Sequence, residues 1–317
     1  MPRRSFLSGV LLVAIIALLP LAPFTNAYHI SVIVRALTFI MLGQAWNVIA
    51  GIGGQLSLGH GVFFGVGAYA VAFLFNDYGI SPWIGLWFAI AVSIVLALII
   101  GLATFRSRGV YFALATVAIS LGFEKVARFL TELTGGDAGL AVNFRGSAPW
   151  VMQFREPAAF LWIDLVVVVC FYAYTRWLLS SRFGLRLQAV RDDEDAAAAS
   201  GVNVLGTKLA GLSVSAAMTA LAGVLHVQFY LAIDPGTAFG LFQGIQIQLP
   251  ALIGGLGTAF GPIIGGAIAI LLSEITNWWA TVSDMHGADT LVYGVVLLVV
   301  VLYAPGGVMG ALRKRLK

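Results

Sequence analysis

Long apolar runs constrain this chain more than any other feature of its sequence. The clearest run, 82–104, contains no charged residue, and about 20 mostly apolar residues suffice to cross the hydrocarbon core of a bilayer. Hydrophobic residues make up 60% of the 317 residues and charged residues only 10%, whereas soluble domains average about 25% charged residues. The sequence therefore predicts a chain that is embedded almost entirely in a membrane.

Apolar runs separated by charges or turn residues predict an all-α polytopic membrane protein with about ten transmembrane helices. The expected spans are 6–24, 30–50, 61–75, 82–104, 111–133, 160–179, 209–231, 242–253, 260–278 and 290–304. Most of the eighteen basic residues then fall in connections on one side, which predicts that both termini are cytoplasmic. Arg35 falls inside a span and is expected to snorkel outward, and Glu274 is expected near an interface.

Two short expected spans, 61–75 and 242–253, each adjoin a glycine-rich segment. These segments are 51–60 and 254–262, and they lie in opposite halves of the chain. Paired interrupted segments of this kind are typical of transporters with inverted repeats, where they mark the binding site. We therefore expect broken helices and inverted repeats in this fold.

Polar and glycine residues beside the two breaks are candidates for lining a transport path, because irregular backbone at membrane depth is tolerated where it lines a cavity. The candidates are Asn47, Gln55, Ser57, His60, Gly255, Gly257 and Thr258. Two interpretations of His60 stay open. Its ring either contacts a substrate or proton, or forms a hydrogen bond that satisfies backbone groups freed by the break.

Glu124, Lys125 and Arg128 lie inside one expected span, where a charge costs about 2.5–3.5 kcal/mol on insertion scales. Glu124 and Arg128 are four residues apart, so a helix places them on one face, where they can neutralise each other. Glu124 therefore either lines the substrate path or belongs to a structural ion pair.

No catalytic or metal-binding motif is present in the sequence. The histidines lack companion ligands, and the single cysteine, Cys170, cannot form a thiolate cluster. The segment 201–208, Gly-Val-Asn-Val-Leu-Gly-Thr-Lys, resembles a phosphate loop, but such a loop needs lysine directly after the second glycine. We expect that this chain is not an enzyme, binds no metal or cofactor, and does not hydrolyse ATP itself.

The longest charged stretch is 176–208, in which Arg191-Asp-Asp-Glu-Asp precedes four alanines and Gly201. Acidic residues favour the N-terminus of a helix, alanine its interior and glycine its end. We expect one short cytoplasmic helix from Arg191 to Gly201 that begins at Asp192 and Asp193, with Lys208 serving mainly to keep the stretch cytoplasmic. This helix either docks into a groove of a partner or forms a solvated connector.

Four sequence blocks resemble the permease subunits of ABC importers for branched-chain amino acids, the LivM and LivH type. The first block is Asn47 together with residues 53–69, which begin with Gly-Gly-Gln-Leu-Ser-Leu-Gly-His. The other three blocks are 111–116, 133–140 and 254–262. The resemblance runs from about residue 35 to 305. It implies a single permease domain, 1–317, in the bacterial inner membrane, with a cytoplasmic coupling segment at 180–208.

The block around Glu194 resembles the EAA coupling helix of that family, which sits in a cleft of the ATPase subunit. The matching positions are Arg191, Asp192, Asp193, Glu194, Ala196, Ala197 and Gly201. The resemblance implies ATPase subunits that use ATP, a second permease subunit that is identical or homologous, and a periplasmic substrate-binding protein. Membrane lipids surround such a chain, and no nucleic acid is expected.

The substrate has two candidate classes. The resemblance implies hydrophobic, branched-chain amino acids, but Asp137-Ala138 departs from the Pro-Asn expected in the block at 133–140. That departure leaves urea or a short amide as an alternative. An ion-coupled secondary transporter that uses Glu124 and His60 as proton or ion sites is the other hypothesis.

Overall fold

The computed structural model describes residues 26–283, 294–295 and 307–310 of the chain. The described helices are α1 (Ala27–Asn47), α2 (Gly61–Tyr78), α3 (Pro82–Thr104), α4 (Val110–Phe129), α5 (Thr131–Thr134), α6 (Ala158–Ser180), α7 (Arg182–Asp192), α8 (Glu194–Ala199), α9 (Val204–Tyr230), α10 (Pro235–Phe239), α11 (Leu241–Gly254) and α12 (Gly261–Ser283). The π-helical segment Val48–Ile52 continues α1, and 3-10 turns occupy Gly136–Ala138 and Pro149–Val151. Strands β1 (Leu140–Ala141) and β2 (Ala232–Ile233) pair antiparallel, with Leu140 opposite Ile233.

Six helices of the described part of the chain are long and apolar enough to cross a membrane. They are α1 with its π-helical continuation, α2, α3, α4, α6 and α9. The all-α polytopic class is therefore confirmed, whereas the expected count of ten spans is not. The expected span 6–24 lies outside the described residues, and 290–304 lies almost wholly outside them.

Helix boundaries differ from the expected spans where local backbone signals prevail over hydropathy. α3 has the expected bounds, with proline in its first turn. α4 stops at Phe129, four residues before the expected end, because Leu130 leaves the helical region with φ −81° and ψ 61°. α9 begins at Val204, five residues before the expected start, because the Asn203 side chain caps its first turn by accepting from the Gly206 N–H.

The long helix α9 forms the centre of the bundle, and it packs against α1, α2 and α3. Small side chains permit this approach: a Cβ at Gly223 of α9 would overlap the Phe64 carbonyl of α2. In contrast, only 28% of the residues in the most apolar stretch of α3 are buried, and only 22% of those in α4. Their exposed faces carry large apolar side chains such as Trp87 and Leu114, as expected for helices that face lipid.

The two ends of the bundle carry different structures. At one end, which we call the α8 end, α7 and α8 pack beside the first turns of α9 and the irregular segment after α1. At the other end, which we call the β end, lie the β1–β2 pair and the connections around it. The Asn76 side chain at the end of α2 donates to the Ala141 carbonyl there (2.8 Å).

Candidate functional site

The two glycine-rich breaks predicted from the sequence meet at the side chain of Asn47. Asn47 is the last residue of α1 and is fully buried. Its Nδ2 donates to the Thr258 carbonyl (3.0 Å), and its Oδ1 accepts from the Gly257 N–H (2.8 Å). One amide therefore joins the end of α1 to the second break, 254–262, and both of these hydrogen bonds satisfy backbone groups that no helix pairs.

Glycine is required at this junction because the two backbones are in contact. A Cβ on Gly51 would lie 2.5 Å from the Gly257 nitrogen, and Gly257 itself has a positive φ of 69°. Thr258 holds the second break in shape. Its hydroxyl donates to the Gly255 carbonyl (2.8 Å) and accepts from the Gly261 N–H at the start of α12 (3.0 Å).

Ser57 and His60 belong to a buried hydrogen-bond chain that ties the first break to α9. His60 Nδ1 lies 3.0 Å from the Ser57 hydroxyl, and Nε2 lies 2.8 Å from the Ser215 hydroxyl. Because Ser215 donates its own proton to the Ala45 carbonyl (2.7 Å), a neutral His60 must donate from Nε2 and accept at Nδ1. These bonds support the interpretation in which His60 stabilises the irregular backbone.

The predicted single helix from Arg191 to Gly201 is wrong in its bounds. Arg191 and Asp192 are the last residues of α7, and α8 begins only after Asp193. Asp193 is extended, with φ −160° and ψ 114°, and its carboxylate accepts from two backbone N–H groups of the first turn of α8 (2.9 and 3.0 Å). An aspartate that caps one helix cannot also continue another, so the chain kinks here. Gly201 ends α8 with a positive φ of 83°.

One surface of α8 and of the turn before it is exposed in the described part of the chain. Ala197 packs inward at 5% exposure. The neighbouring side chains that are exposed are Asp192, Asp193, Asp195, Ala196, Ala198, Ala199 and Ser200. This small, acidic and alanine-rich surface has the character of a docking face, and its contact with a partner stays a prediction.

Glu194 turns inward and contacts three separate segments of the chain. Its carboxylate accepts from Gln55 Nε2 in the first break (3.3 Å), pairs with Arg108 Nε in the α3–α4 connection (3.4 Å), and pairs with Lys208 in α9. Lys208 is only 2% exposed, and its ammonium group lies 5.6 Å from the centre of the Phe105 ring. Lys208 therefore has a structural partner inside the chain, which the expected role as a topology charge did not include. The feature of the sequence that could have indicated this burial is the position of Lys208, directly before the long apolar run 209–231.

Arg108 also holds the neighbouring residue of α8. Its two terminal nitrogens donate to the two carboxylate oxygens of Asp195 (3.0 and 3.3 Å). These hydrogen bonds and the positive charge lower the pKa of Asp195 below its usual range. Asp195 is therefore ionised at neutral pH, and α8 stays attached to the α3–α4 connection.

A cleft of about 270 Å³ opens at the α8 end between the first break and the charged residues. Its lining includes Gly54, Gln55, Arg108, Arg191, Asp193 and Glu194. Arg191 reaches across it, with Nη1 donating to the Gly51 carbonyl (3.4 Å). Of the predicted coupling residues, Arg191 and Glu194 therefore contact the first break directly.

Glu124 lies apart from the other candidate path residues, toward the β end. The predicted contact with Arg128 is present, with Oε1 of Glu124 at 2.9 Å from Nη2 of Arg128. Arg128 also pairs with Asp137 in the connection after α5. The structure thus brings Asn47, Gly255, Gly257 and Thr258 together, and places Glu124 in an ion-pair cluster elsewhere.

Comparison with known proteins gives one consistent result. Residues 28–302 match the family described as branched-chain amino acid transport system / permease component. The high-affinity branched-chain amino acid transport system permease protein LivM of Salmonella typhimurium is 26% identical, over 99% of this chain and 77% of that protein. The corresponding LivH protein of Escherichia coli K12 is 25% identical, over 86% of this chain and 91% of its own length.

A more distant relative shows the same pattern. The probable branched-chain amino acid transport permease protein LivM of Methanocaldococcus jannaschii is 23% identical, over 84% of both chains. No solved structure matches this chain. The family match covers most of the sequence, including both breaks and the segment from α7 to α8. This chain therefore belongs to the family of branched-chain amino acid transport system permease components.

Proposed function

We propose that this chain is the transmembrane permease subunit of an ABC importer that moves branched-chain, hydrophobic amino acids across a bacterial inner membrane. The whole chain, 1–317, is one permease domain with both termini in the cytoplasm. Its cytoplasmic coupling segment is 180–208. ATP is hydrolysed by a separate subunit, and the permease itself supplies the path.

The observation that carries this proposal is the contact between Gln55 and Glu194. It links an exposed helix, α8, directly to a break in the membrane-embedded helices. A force applied to α8 by a partner therefore reaches irregular backbone, which is easier to displace than a continuous hydrogen-bonded helix. The end of α1, which leads into that break, is in turn bonded through Asn47 to the second break.

The proposed cycle uses three kinds of partner. A periplasmic binding protein delivers substrate to the outer face of a pair of permease subunits, either identical or homologous. Two ATPase subunits contact the coupling segments, and their closure on ATP displaces α8. Because ATP-bound and ATP-free ATPase subunits favour different positions of α8, the permease pair changes from one access state to the other.

The relatives' names support branched-chain amino acids as the substrate, and the path residues would be those at the two breaks. Urea or a short amide is the alternative, because Asp137-Ala138 replaces the Pro-Asn that the family block leads us to expect. Asp137 is engaged by Arg128, so this replacement adds a charged contact at the β end. Uptake measurements with labelled leucine and labelled urea distinguish the two substrates.

A test of the proposal begins with purification of the chain in mild detergent and identification of the subunits that copurify. We expect an ATPase subunit with a phosphate loop. In proteoliposomes, the assembled complex with its binding protein should take up leucine only when ATP is present, and the chain alone should be inert. Gradient-driven uptake by the chain alone would instead establish a secondary transporter.

A further inference from the structure

A buried lysine lies where α8 meets the bundle. Lys208 is in the first turns of α9, is 2% exposed, and faces the Phe105 ring. An ammonium group without solvent needs a nearby counter-charge, because desolvation of an unpaired ion is costly. Its counter-charge is Glu194, the first residue of α8. A helix on the surface therefore neutralises a charge inside the bundle.

Glu194 has its hydrogen-bonding capacity occupied within the chain. One carboxylate oxygen receives Lys208 and Gln55, and the other faces Arg108. The side chain is 20% exposed, whereas that of its neighbour Asp195 is 80% exposed. Glu194 thus faces the bundle, whereas Asp192, Asp193 and Asp195 lie on the exposed surface.

We propose that Lys208 is a positioning residue for energy coupling, and that the Lys208–Glu194 pair makes α8, the first break and the head of α9 move as one body. The proposal rests on the proposed function, in which α8 receives the force of the ATPase subunit. It assigns Glu194 an internal role, as the junction of the three segments. It also assigns a role to Lys208, which is too deeply buried to contact the ATPase subunit.

The link between α8 and the break passes through one carboxylate. Gln55 and Lys208 both bind Oε1 of Glu194. Without Lys208, the carboxylate keeps only the long contacts to Gln55 and Arg108, at 3.3 and 3.4 Å. Because Arg108 is held independently by Asp195, α8 stays on the bundle while its connection to the break weakens.

The principal variant is Lys208→Met, which keeps the length of the side chain and removes the charge. The matched control is Lys125→Met, which removes an exposed lysine of α4. Each variant is purified as the assembled complex in proteoliposomes. The amount of copurified ATPase subunit and the ratio of substrate-stimulated to basal ATP hydrolysis are then measured.

We expect Lys208→Met to retain the ATPase subunit at the wild-type ratio while the stimulation ratio falls about tenfold, within the usual range for coupling between two sites. The control should match the wild type in both measurements. A normal stimulation ratio in Lys208→Met overturns the proposal, as does loss of the ATPase subunit together with stimulation. If the wild-type chain binds no ATPase subunit, the proposed function itself fails.

A second variant and a distance measurement guard against misfolding. Glu194→Gln with Lys208→Met removes both charges, so no unpaired ion is left inside. Spin labels on Leu56→Cys and Ser200→Cys, in a Cys170→Ser background, report the distance from the break to the end of α8. We expect this distance to be the same with and without ATP in the wild type, and to change on ATP binding in the double variant. A wild-type distance that changes as much as the variant's overturns the proposal.

Discussion

Asn47 and Gly257 join the two halves of the described bundle through one short hydrogen bond. The Gly257 N–H donates to Oδ1 of Asn47 over 2.8 Å, across 210 residues of sequence. The same side chain donates to the Thr258 carbonyl and is fully buried, so it is closed to a substrate in this arrangement. Asn47 can therefore contact substrate only in a state in which the two breaks have separated.

Removal of this junction should destabilise the bundle. Asn47→Ala leaves the Gly257 N–H and the Thr258 carbonyl without their partner, at about 1–3 kcal/mol for each buried group. We expect a lower thermal midpoint in detergent and reduced uptake. Asn76→Ala is the matched control, because Asn76 also donates to one carbonyl and accepts from one backbone N–H, but at an exposed site where water substitutes. Equal effects of the two substitutions would contradict the assignment.

The close contact between the backbones at Gly51 and Gly257 gives a second prediction. Gly51→Ala places a methyl group against Gly257 and should cost about 1–3 kcal/mol through overpacking. Gly122→Ala on α4 meets nothing within 4 Å and should stabilise the helix by about 0.5–1 kcal/mol. Thermal unfolding of the two purified variants measures both. A Gly51→Ala variant with wild-type stability would show that the breaks are not in contact.

Regular elements were predictable because their signals are local. The bounds of α3 follow from a charge-free run that begins at a proline and ends before Arg106. The contact of Glu124 with Arg128 follows from helical spacing alone. The division between α7 and α8 was not predicted, because the same acidic residues can either continue a helix or cap a new one. Here Asp193 caps α8.

Contacts between distant segments were not predictable from one sequence. Both glycine-rich breaks were recognisable as interruptions, but the hydrogen bonds of Asn47 to the second break depend on how α1, α11 and α12 pack. The burial of Lys208 depends likewise on the docking of α8, which supplies Glu194. Composition marks a charge as unusual within an apolar chain. It does not say which other charge neutralises it.

The ion pair between Arg35 and Glu274 replaces the expected snorkelling of an isolated arginine and provides a third prediction. The two side chains join α1 to α12, and the Tyr28 hydroxyl also donates to Glu274 (2.6 Å). Glu274→Gln leaves Arg35 uncompensated inside a span, at a cost of up to about 2.5–3.5 kcal/mol. We expect reduced membrane insertion and a lower thermal midpoint. Arg35→Gln added to Glu274→Gln should recover much of the loss, and an additive loss would show that the two charges do not interact.

Asp234 caps the short helix α10 at the β end, and its titration gives a fourth prediction. Partial burial alone raises the pKa of its carboxyl group, but hydrogen bonds from the Thr237 hydroxyl and backbone, assisted by Arg128, lower that pKa below its usual range. A carboxyl group whose pKa is lower in the folded state contributes stability above its unfolded pKa, and that contribution is lost as the pH falls through the folded value.

Asp234→Ala removes this cap and should lower the free energy of unfolding by about 1 kcal/mol at neutral pH. Because the carboxylate is the better acceptor, the difference in thermal midpoint between wild type and Asp234→Ala should stay constant from about pH 8 to 5 and shrink below about pH 4, near the ordinary aspartate pKa. Thr237→Val is a suitable comparison, since it removes one donor and keeps the charge. It should lower the midpoint less than Asp234→Ala does at neutral pH. A difference between wild type and Asp234→Ala that grows as the pH falls from 5 to 3 would contradict the lowered pKa, because it would require the protonated carboxyl group to be the stabilising form.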